Sequence, residues 1–275
     1  VYRYLEIQNL WEEAAEAMGK SSADELKNWI INDIIRYGVE RLIEHHASHC
    51  LSSESCVLGW YPGLSYDFFY TAYGLTGLLT AYEFQKDYGI NVYENNTTLV
   101  EVIEKITRGL IEHQEDNGSW NNDIRDTATA AYAIAKAVEL GFTAYNASGL
   151  ELEALNKSIS YLVGWQKDDG SWDEDVVYTA YALLALAEAK LVGINVPVDN
   201  IVEAIEWLNQ TKESTDNQYY WIPSGWWWIS GYETTARAVI ALATAKLVVD
   251  NTATADLAYS LAKGGAKYLA SRAYD

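Results

Sequence analysis

Proline is almost missing from this chain, with three in 275 residues. Long helices are therefore free to run unbroken. No stretch is rich enough in Pro, Gly or Ser to serve as a linker, so one domain spanning 1–275 is expected. Basic residues are also few: 19 Lys and Arg stand against 39 Asp and Glu, a net charge of −20. That balance excludes electrostatic binding to nucleic acid or to an anionic membrane, and it suits a cation or a basic partner. No window approaches 18 consecutive apolar residues, so no transmembrane helix is expected. Cysteine occurs only twice, at Cys50 and Cys56 around Leu-Ser-Ser-Glu-Ser. In an exported protein the two are expected to pair, closing a short loop; in a reducing compartment they remain thiols.

What the chain does have is a phrase written twice, Gln114-Glu-Asp-Asn-Gly-Ser-Trp120 and Gln166-Lys-Asp-Asp-Gly-Ser-Trp172. Each copy leads into an Ala-rich segment opening on Thr-Ala. Four such segments start at Thr71, Thr127, Thr179 and Thr235, at intervals of 56, 52 and 56 residues. A period near fifty means one supersecondary unit used repeatedly. Trp120, Trp172 and Trp228 each stand seven residues before the Thr, and Trp60 stands eleven before in the first copy. Ala and Leu favour helix, and the Thr-Ala segments are apolar on most faces, as buried helices are. The segments before them, Leu99–His113, Leu150–Trp165 and Ile201–Leu208, are amphipathic. Each repeat reads as an exposed helix, a turn and a buried helix. Asp-Asn-Gly and Asp-Asp-Gly supply a residue able to take positive φ.

About ten helices are expected, near 3–19, 24–48, 65–88, 97–114, 125–140, 149–166, 175–192, 198–212, 231–248 and 254–272. The fold class is all-α: a single α/α toroid of about five hairpins, with repeats near 24–88, 97–140, 149–192 and 198–248 and terminal helices at 3–19 and 254–272. Closing the ring removes the ends that an open array must cap.

The Gln-x-x-x-Gly-Ser-Trp phrase, followed by Asp-x-x-Asp-Thr-Ala, resembles the terpenoid cyclase and protein prenyltransferase superfamily over about residues 60–250. The resemblance implies the toroid; the chemistry does not carry over. Class II cyclases protonate an alkene with Asp-x-Asp-Asp-Thr-Ala. Here the stretch is Asp123-Ile-Arg-Asp126-Thr-Ala128, and Arg125 takes the place of the proton donor. A guanidinium cannot be that acid, and an ion pair of Arg125 with Asp123, with Asp126 or with a neighbouring acidic turn is expected instead. The prenyltransferase zinc ligands have no counterpart, because both cysteines precede the first Thr-Ala helix. Tyr220-Trp221 leading to Glu233-Thr-Thr-Ala236 is similar to the late repeat of alpha-2-macroglobulin-type thioester domains, whose Gly-Cys-x-Glu-Gln motif is absent.

Six Asn-x-Ser/Thr acceptors, at Asn95, Asn96, Asn117, Asn146, Asn156 and Asn209, exceed the roughly two that chance gives. With a chain starting at Val1, they suggest export to the cell surface after signal cleavage, with glycans at helix ends. His45 and His49, one helical turn apart beside Cys50, have zinc spacing and equally suit the C-terminus of a helix. Asp123, Asp126, Asp173, Asp175 and Glu233 lie at the turns before buried helices. There they can cap N-termini, hold Ca²⁺ or act as acid and base in glycan cleavage. Two aromatic groups remain: Trp60, Tyr61, Tyr66 and Tyr70, then Tyr220, Trp221, Trp226, Trp227 and Tyr232. Part of them is expected to face a sugar, a lipid or a protein partner. The leading reading is a non-catalytic extracellular structural or binding module that meets copies of itself or other surface proteins. The alternative is a toroid-class enzyme, polysaccharide-cleaving or a divergent terpene cyclase. A lipid or small-molecule carrier using the ring cavity is a third.

Overall fold

Helix formers fill the segments between the turns, and 70% of the chain is helical. The computed structural model describes residues 11–59, 67–142, 149–216, 218–224 and 230–272. After α1 (Trp11–Ala17), a long helical rod holds α2 (Ala23–Trp29) and α3 (Tyr37–Arg41). Wider π-helical stretches, Ile30–Arg36 and Leu42–His46, follow each of them. The expected single helix over 24–48 thus carries two widened stretches and stops at His46. The apolar residues explain this. Leu26, Ile30, Ile35, Val39, Ile43 and Ala47 recur every four or five residues, longer than the 3.6 of an α-helix. Wider turns keep that stripe on one face.

Eight helices then alternate: α4 (Phe68–Tyr88), α5 (Asn96–Glu112), α6 (Ile124–Glu139), α7 (Leu150–Trp165), α8 (Val176–Leu191), α9 (Val198–Thr211), α10 (Gly231–Ala245) and α11 (Thr252–Arg272). The Thr-Ala helices α4, α6, α8 and α10 pack side by side in that order. Behind them, α5 rests on α4 and α6, α7 on α6 and α8, α9 on α8 and α10, and α11 on α9 and α10. This is the inner and outer alternation expected from the repeat. Burial agrees with it at the middle of the row, where most of α6 and nearly all of α8 is inside, whereas α5 and α9 each bury one stripe. At the ends of the row, α4 and α10 are no more buried than α5. A two-stranded hairpin, β1 (Glu213–Thr215) and β2 (Gln218–Tyr220), was not expected and precedes α10. Asp216 at its tip has φ of 49°, a conformation that short polar residues tolerate.

The inner helices are joined to their corners by one repeated bond. The hydroxyl of Thr127 accepts the N–H of Trp120 at 3.1 Å, and Thr179 accepts that of Trp172 at 3.0 Å. In the fourth repeat Thr235 accepts the N–H of Trp221, and in the first Thr71 accepts that of Leu58. The ring N–H groups follow suit. Trp120, Trp172 and Trp221 donate to the carbonyls of Leu110, Leu162 and Leu208 at the ends of the preceding outer helices. Trp221 and Leu58 therefore hold the positions that spacing gave to Trp228 and Trp60, both of which lie outside the described residues. The β-hairpin lies between Leu208 and Trp221, and the longer loop from Trp221 to Thr235 keeps the same corner.

The Gln of the phrase is a staple. Gln114 Nε2 donates to the carbonyls of Gly118 and of Ala154 on α7, and Gln166 does the same to Gly170 and to Asn200 on α9. Gly118 and Gly170 take φ of 91° and 89°, and a Cβ on either would meet the carbonyl oxygen of Lys157 or Glu203 at 2.3 or 2.5 Å. Only glycine lets the turn lie against the next outer helix. A further turn follows each Trp. Asn121 and Asn122, and likewise Asp173 and Glu174, both have positive φ, a pattern the sequence reading did not anticipate.

Cys50 and Cys56 are joined in a disulfide, with Cα atoms 5.3 Å apart. The loop they close lies on α5: Cys56 N–H donates to the carbonyl of Lys105, and Lys105 Nζ donates to that of Leu51. Serine at both positions is expected to cost about 2 kcal/mol, the entropy of a short closed loop. Urea unfolding of the native protein measures this. A midpoint that is insensitive both to the substitutions and to reductant would show that the pair is reduced in the native protein.

Candidate functional site

The acidic residues singled out above are occupied with local structure. Asp67, Asp123 and Asp175 cap α4, α6 and α8, accepting backbone N–H groups of the first turn. Asp126 is buried. Its Oδ1 accepts Arg125 Nε and Nη2 at 3.2 and 3.0 Å, and its Oδ2 accepts Asn121 Nδ2 at 2.8 Å. The ion pair expected of Arg125 is therefore made with Asp126. Burial pushes the Asp126 carboxyl up, with Asn121 and the guanidinium pulling it back. Burial also opposes the Arg125 charge, and Asp126 more than offsets it. Asp173 is exposed and lies 4.0 Å from Lys167. Glu233 pairs with Arg237 one turn along α10. Tyr178 is pushed up to about 12 by burial first and Asp123 next, with Asp173 and Asp175 adding less and Arg125 opposing.

The histidines are separated by the end of the helical rod. His45 Nε2 meets Arg41 Nη1 at 2.8 Å, and His49 Nε2 lies 3.1 Å from the carbonyl of Val57. Among the described residues, the group of three metal-type ligands that converges is His49, Cys50 and Cys56, and its two sulfurs are bonded to each other. Of the sequons, Asn95, Asn96, Asn117 and Asn156 are exposed and Asn209 is half-buried. Asn95 caps α5, and Asn117 accepts the N–H and hydroxyl of Ser119. Asn146 lies outside the described residues, as do Trp60, Tyr61, Tyr66, Trp226 and Trp227.

The remaining aromatics divide. Trp221, read as a ligand or partner aromatic, is instead fully buried at the fourth corner. Tyr220 stacks on Tyr268 of α11 with centroids 4.8 Å apart, and Tyr232 stacks on the same ring at 6.0 Å. These rings cover α11. Tyr70 lines a cavity.

That cavity, about 620 Å³ in volume, lies between the inner helices and the end of the N-terminal rod. Gly74 and Gly77 on α4 keep its wall thin, with Ala72 and Tyr73 beside them. Thr129 and Tyr132 come from α6, Ala180, Tyr181 and Leu184 from α8, and Arg237 and Ile240 from α10. Leu42, His46 and Leu58 complete it. The helices α4 and α10, at the two ends of the inner row, thus face one cavity. Tyr73 and Ile240 are each 51% exposed, so one side is open to solvent. No Asp or Glu is among the described residues of the lining, whose surface is mostly carbon.

The polar groups of the cavity were missed by the sequence reading, although each stands out as a lone polar residue in an apolar run. Arg237 sits in Thr-Ala-Arg-Ala-Val-Ile. Its Nε meets the Tyr181 hydroxyl, its Nη2 meets Glu233, and its Nη1 is buried without a partner. Its guanidinium lies over the Tyr181 ring, and burial pushes that phenol well up. Tyr132 is pushed up to about 12, by burial and then by the charge of Glu188. Deeper along the same helices, Lys136 bridges Glu83 and Glu139 at 3.1 and 2.7 Å. No family profile and no characterised protein matches this chain in sequence.

Proposed function

We propose that the chain is a non-catalytic binding domain of α/α-toroid type that admits a small apolar molecule into its central cavity. The cavity carries this reading. Its volume falls within the range that holds one drug-sized ligand. Its described lining offers carbon surface, hydroxyls and one cation, and the candidate acids of the sequence are engaged in capping and ion pairs around it. A hydrolase acting through paired carboxylates needs both to reach one substrate bond. Here Asp123 caps a helix, Asp126 pairs with Arg125, Glu233 pairs with Arg237, and Asp175, whose Oδ1 caps α8, keeps only Oδ2 unpartnered. Export of the domain belongs to the same proposal, supported by the disulfide and the six sequons. No helix among the described residues is long and apolar enough to cross a membrane.

The neutral probe N-phenyl-1-naphthylamine tests this reading. Its fluorescence is expected to rise on binding the protein with a single saturable site. Thr76 lines the cavity and, among the described residues, bonds only to the Ala72 carbonyl of its own helix, so Thr76→Trp fills the space while leaving the corners alone. That variant is expected to bind the probe at least about tenfold more weakly at unchanged thermal stability, since a tenfold loss needs only about 1.4 kcal/mol. Probe binding that ignores Thr76→Trp, or no saturable binding, overturns the cavity as the site.

A further inference from the structure

We infer that the ligand of this cavity is a long-chain carboxylate, with its head group held by Arg237 and its tail along α4 and α8; the inference rests on the cavity being the binding site. Three observations carry it. Arg237 is the one residue of the described lining that carries a fixed charge, and its side chain is only 11% exposed. Two of its three nitrogens are engaged, Nε with the Tyr181 hydroxyl and Nη2 with Glu233, while Nη1 is buried without an acceptor. A guanidinium has only donors, so what Nη1 lacks is an oxygen. A buried donor is costly to leave unpaired, and the residue that carries it is itself part of the cavity lining, so a small turn of the guanidinium would offer Nη1 to an acceptor there.

The charge of that acceptor follows from the surroundings. Glu233, which balances Arg237, is 47% exposed on its side chain and shares its charge with solvent. The described lining has no carboxylate of its own to repel an anion, in a chain that carries −20 overall. His46 is a second donor on the same lining. An anionic oxygen therefore gains a charge-assisted bond that an alcohol or a ketone gains only in part. The Tyr181 hydroxyl fixes Nε and so aims the guanidinium. The rest of the ligand must be apolar, because Ala72, Gly74, Ala180 and Leu184 offer it nothing but carbon.

The experiment is calorimetric titration of the intact chain with hexadecanoate and with hexadecanol, below the concentration at which either forms micelles. The expected result is saturable binding of hexadecanoate, at least about tenfold tighter than hexadecanol, with Arg237→Met reducing the acid to the affinity of the alcohol. Tyr181→Phe should weaken the acid more than the alcohol, because it loosens the aim of the guanidinium without removing it. Equal binding of acid and alcohol to the unmodified protein overturns the carboxylate assignment and leaves the cavity standing, and it does so even if Arg237→Met fails to fold. Failure of the acid, the alcohol and the neutral naphthylamine to bind removes the cavity reading itself.

Discussion

Trp221→Ala is expected to destabilise the protein by about 3–5 kcal/mol, as much as Trp120→Ala or Trp172→Ala, in urea unfolding followed by circular dichroism. The three rings are fully buried, and each donates its Nε1–H to the carbonyl of a leucine on the preceding outer helix at 2.8–2.9 Å. Truncation opens a cavity and leaves those carbonyls of Leu110, Leu162 or Leu208 without that donor. The backbone N–H of each Trp is held by the Thr that opens the inner helix. Each ring is thus the point where outer helix, turn and inner helix are fastened together. Trp165, exposed at 57%, is the control: its replacement by alanine should cost less than about 1 kcal/mol. A cost at Trp221 close to that at Trp165 would show that the fourth repeat is fastened differently from the second and third.

The same corners show how far the sequence could be read. The Thr-Ala starts placed all four inner helices, and at α8 the reason is plain: a helix buried on nearly every side must be written almost wholly in Ala, Leu and other small or apolar residues. α8, Val-Val-Tyr-Thr-Ala-Tyr-Ala-Leu-Leu-Ala-Leu-Ala, is such a text. The outer helices were legible from the stripe spacing of α5 and α9. The disulfide was expected on the condition of export, from two cysteines in one short loop, and the ion pair of Arg125 with one of several nearby acids, of which Asp126 is the partner. Equivalence at the corner was not legible. It is set by which N–H reaches the Thr hydroxyl, and chain spacing misleads once a loop is lengthened. Trp221 lies 14 residues before Thr235 and Leu58 lies 13 before Thr71, against seven in the other two repeats. The two-residue turn after each Trp was hidden for another reason. Asn and Asp are common both as caps and at positive φ, so Asn-Asn-Asp and Asp-Glu-Asp carry both meanings.

The cavity entered the sequence analysis only as the centre of an expected ring, and its chemistry not at all. The reading looked for function in the residues that stand out by number, the carboxylates and the Trp-rich turns. Among the described residues, the carboxylates go mainly to caps and ion pairs, and Tyr220 and Tyr232 pack against α11. The informative residues are charges flanked by apolar residues within a helix, Arg237 in α10 and Glu188 in α8. A lone charge in such a run must be buried in some form, and burial requires a partner, a changed protonation state or a ligand. For Arg237, a residue of the cavity lining, the structure leaves one nitrogen buried without a partner; for Glu188 burial raises the pKa.

Glu188 is 7% exposed, and its Oε2 is buried without a hydrogen-bond partner. Burial raises its pKa to about 7; Glu139 and Glu83 add to the rise, and Lys136 opposes it. Lys136 cannot neutralise all three carboxylates, because its own bonds go to Glu83 and Glu139. An unfolded glutamate ionises near 4.3. Between about pH 4.5 and pH 7 the folded protein therefore holds a proton that the unfolded chain has released, so this group makes the protein less stable as pH rises through that window. Below it both states are protonated, and above it both are ionised and the penalty is complete. At 1.36 kcal/mol per pKa unit, less some relief from the solvent it still sees, the penalty at pH 8 is about 2–3 kcal/mol. Glu188→Gln keeps the shape and removes the charge. Its unfolding free energy should match the parent at pH 4.5 and exceed it by about that amount at pH 8. Taking the difference between the two chains cancels the general repulsion of a chain carrying −20, which acts on both. Parallel curves from pH 4.5 to pH 8 would mean that Glu188 is ionised in the folded protein at neutral pH, with its charge met by Lys136.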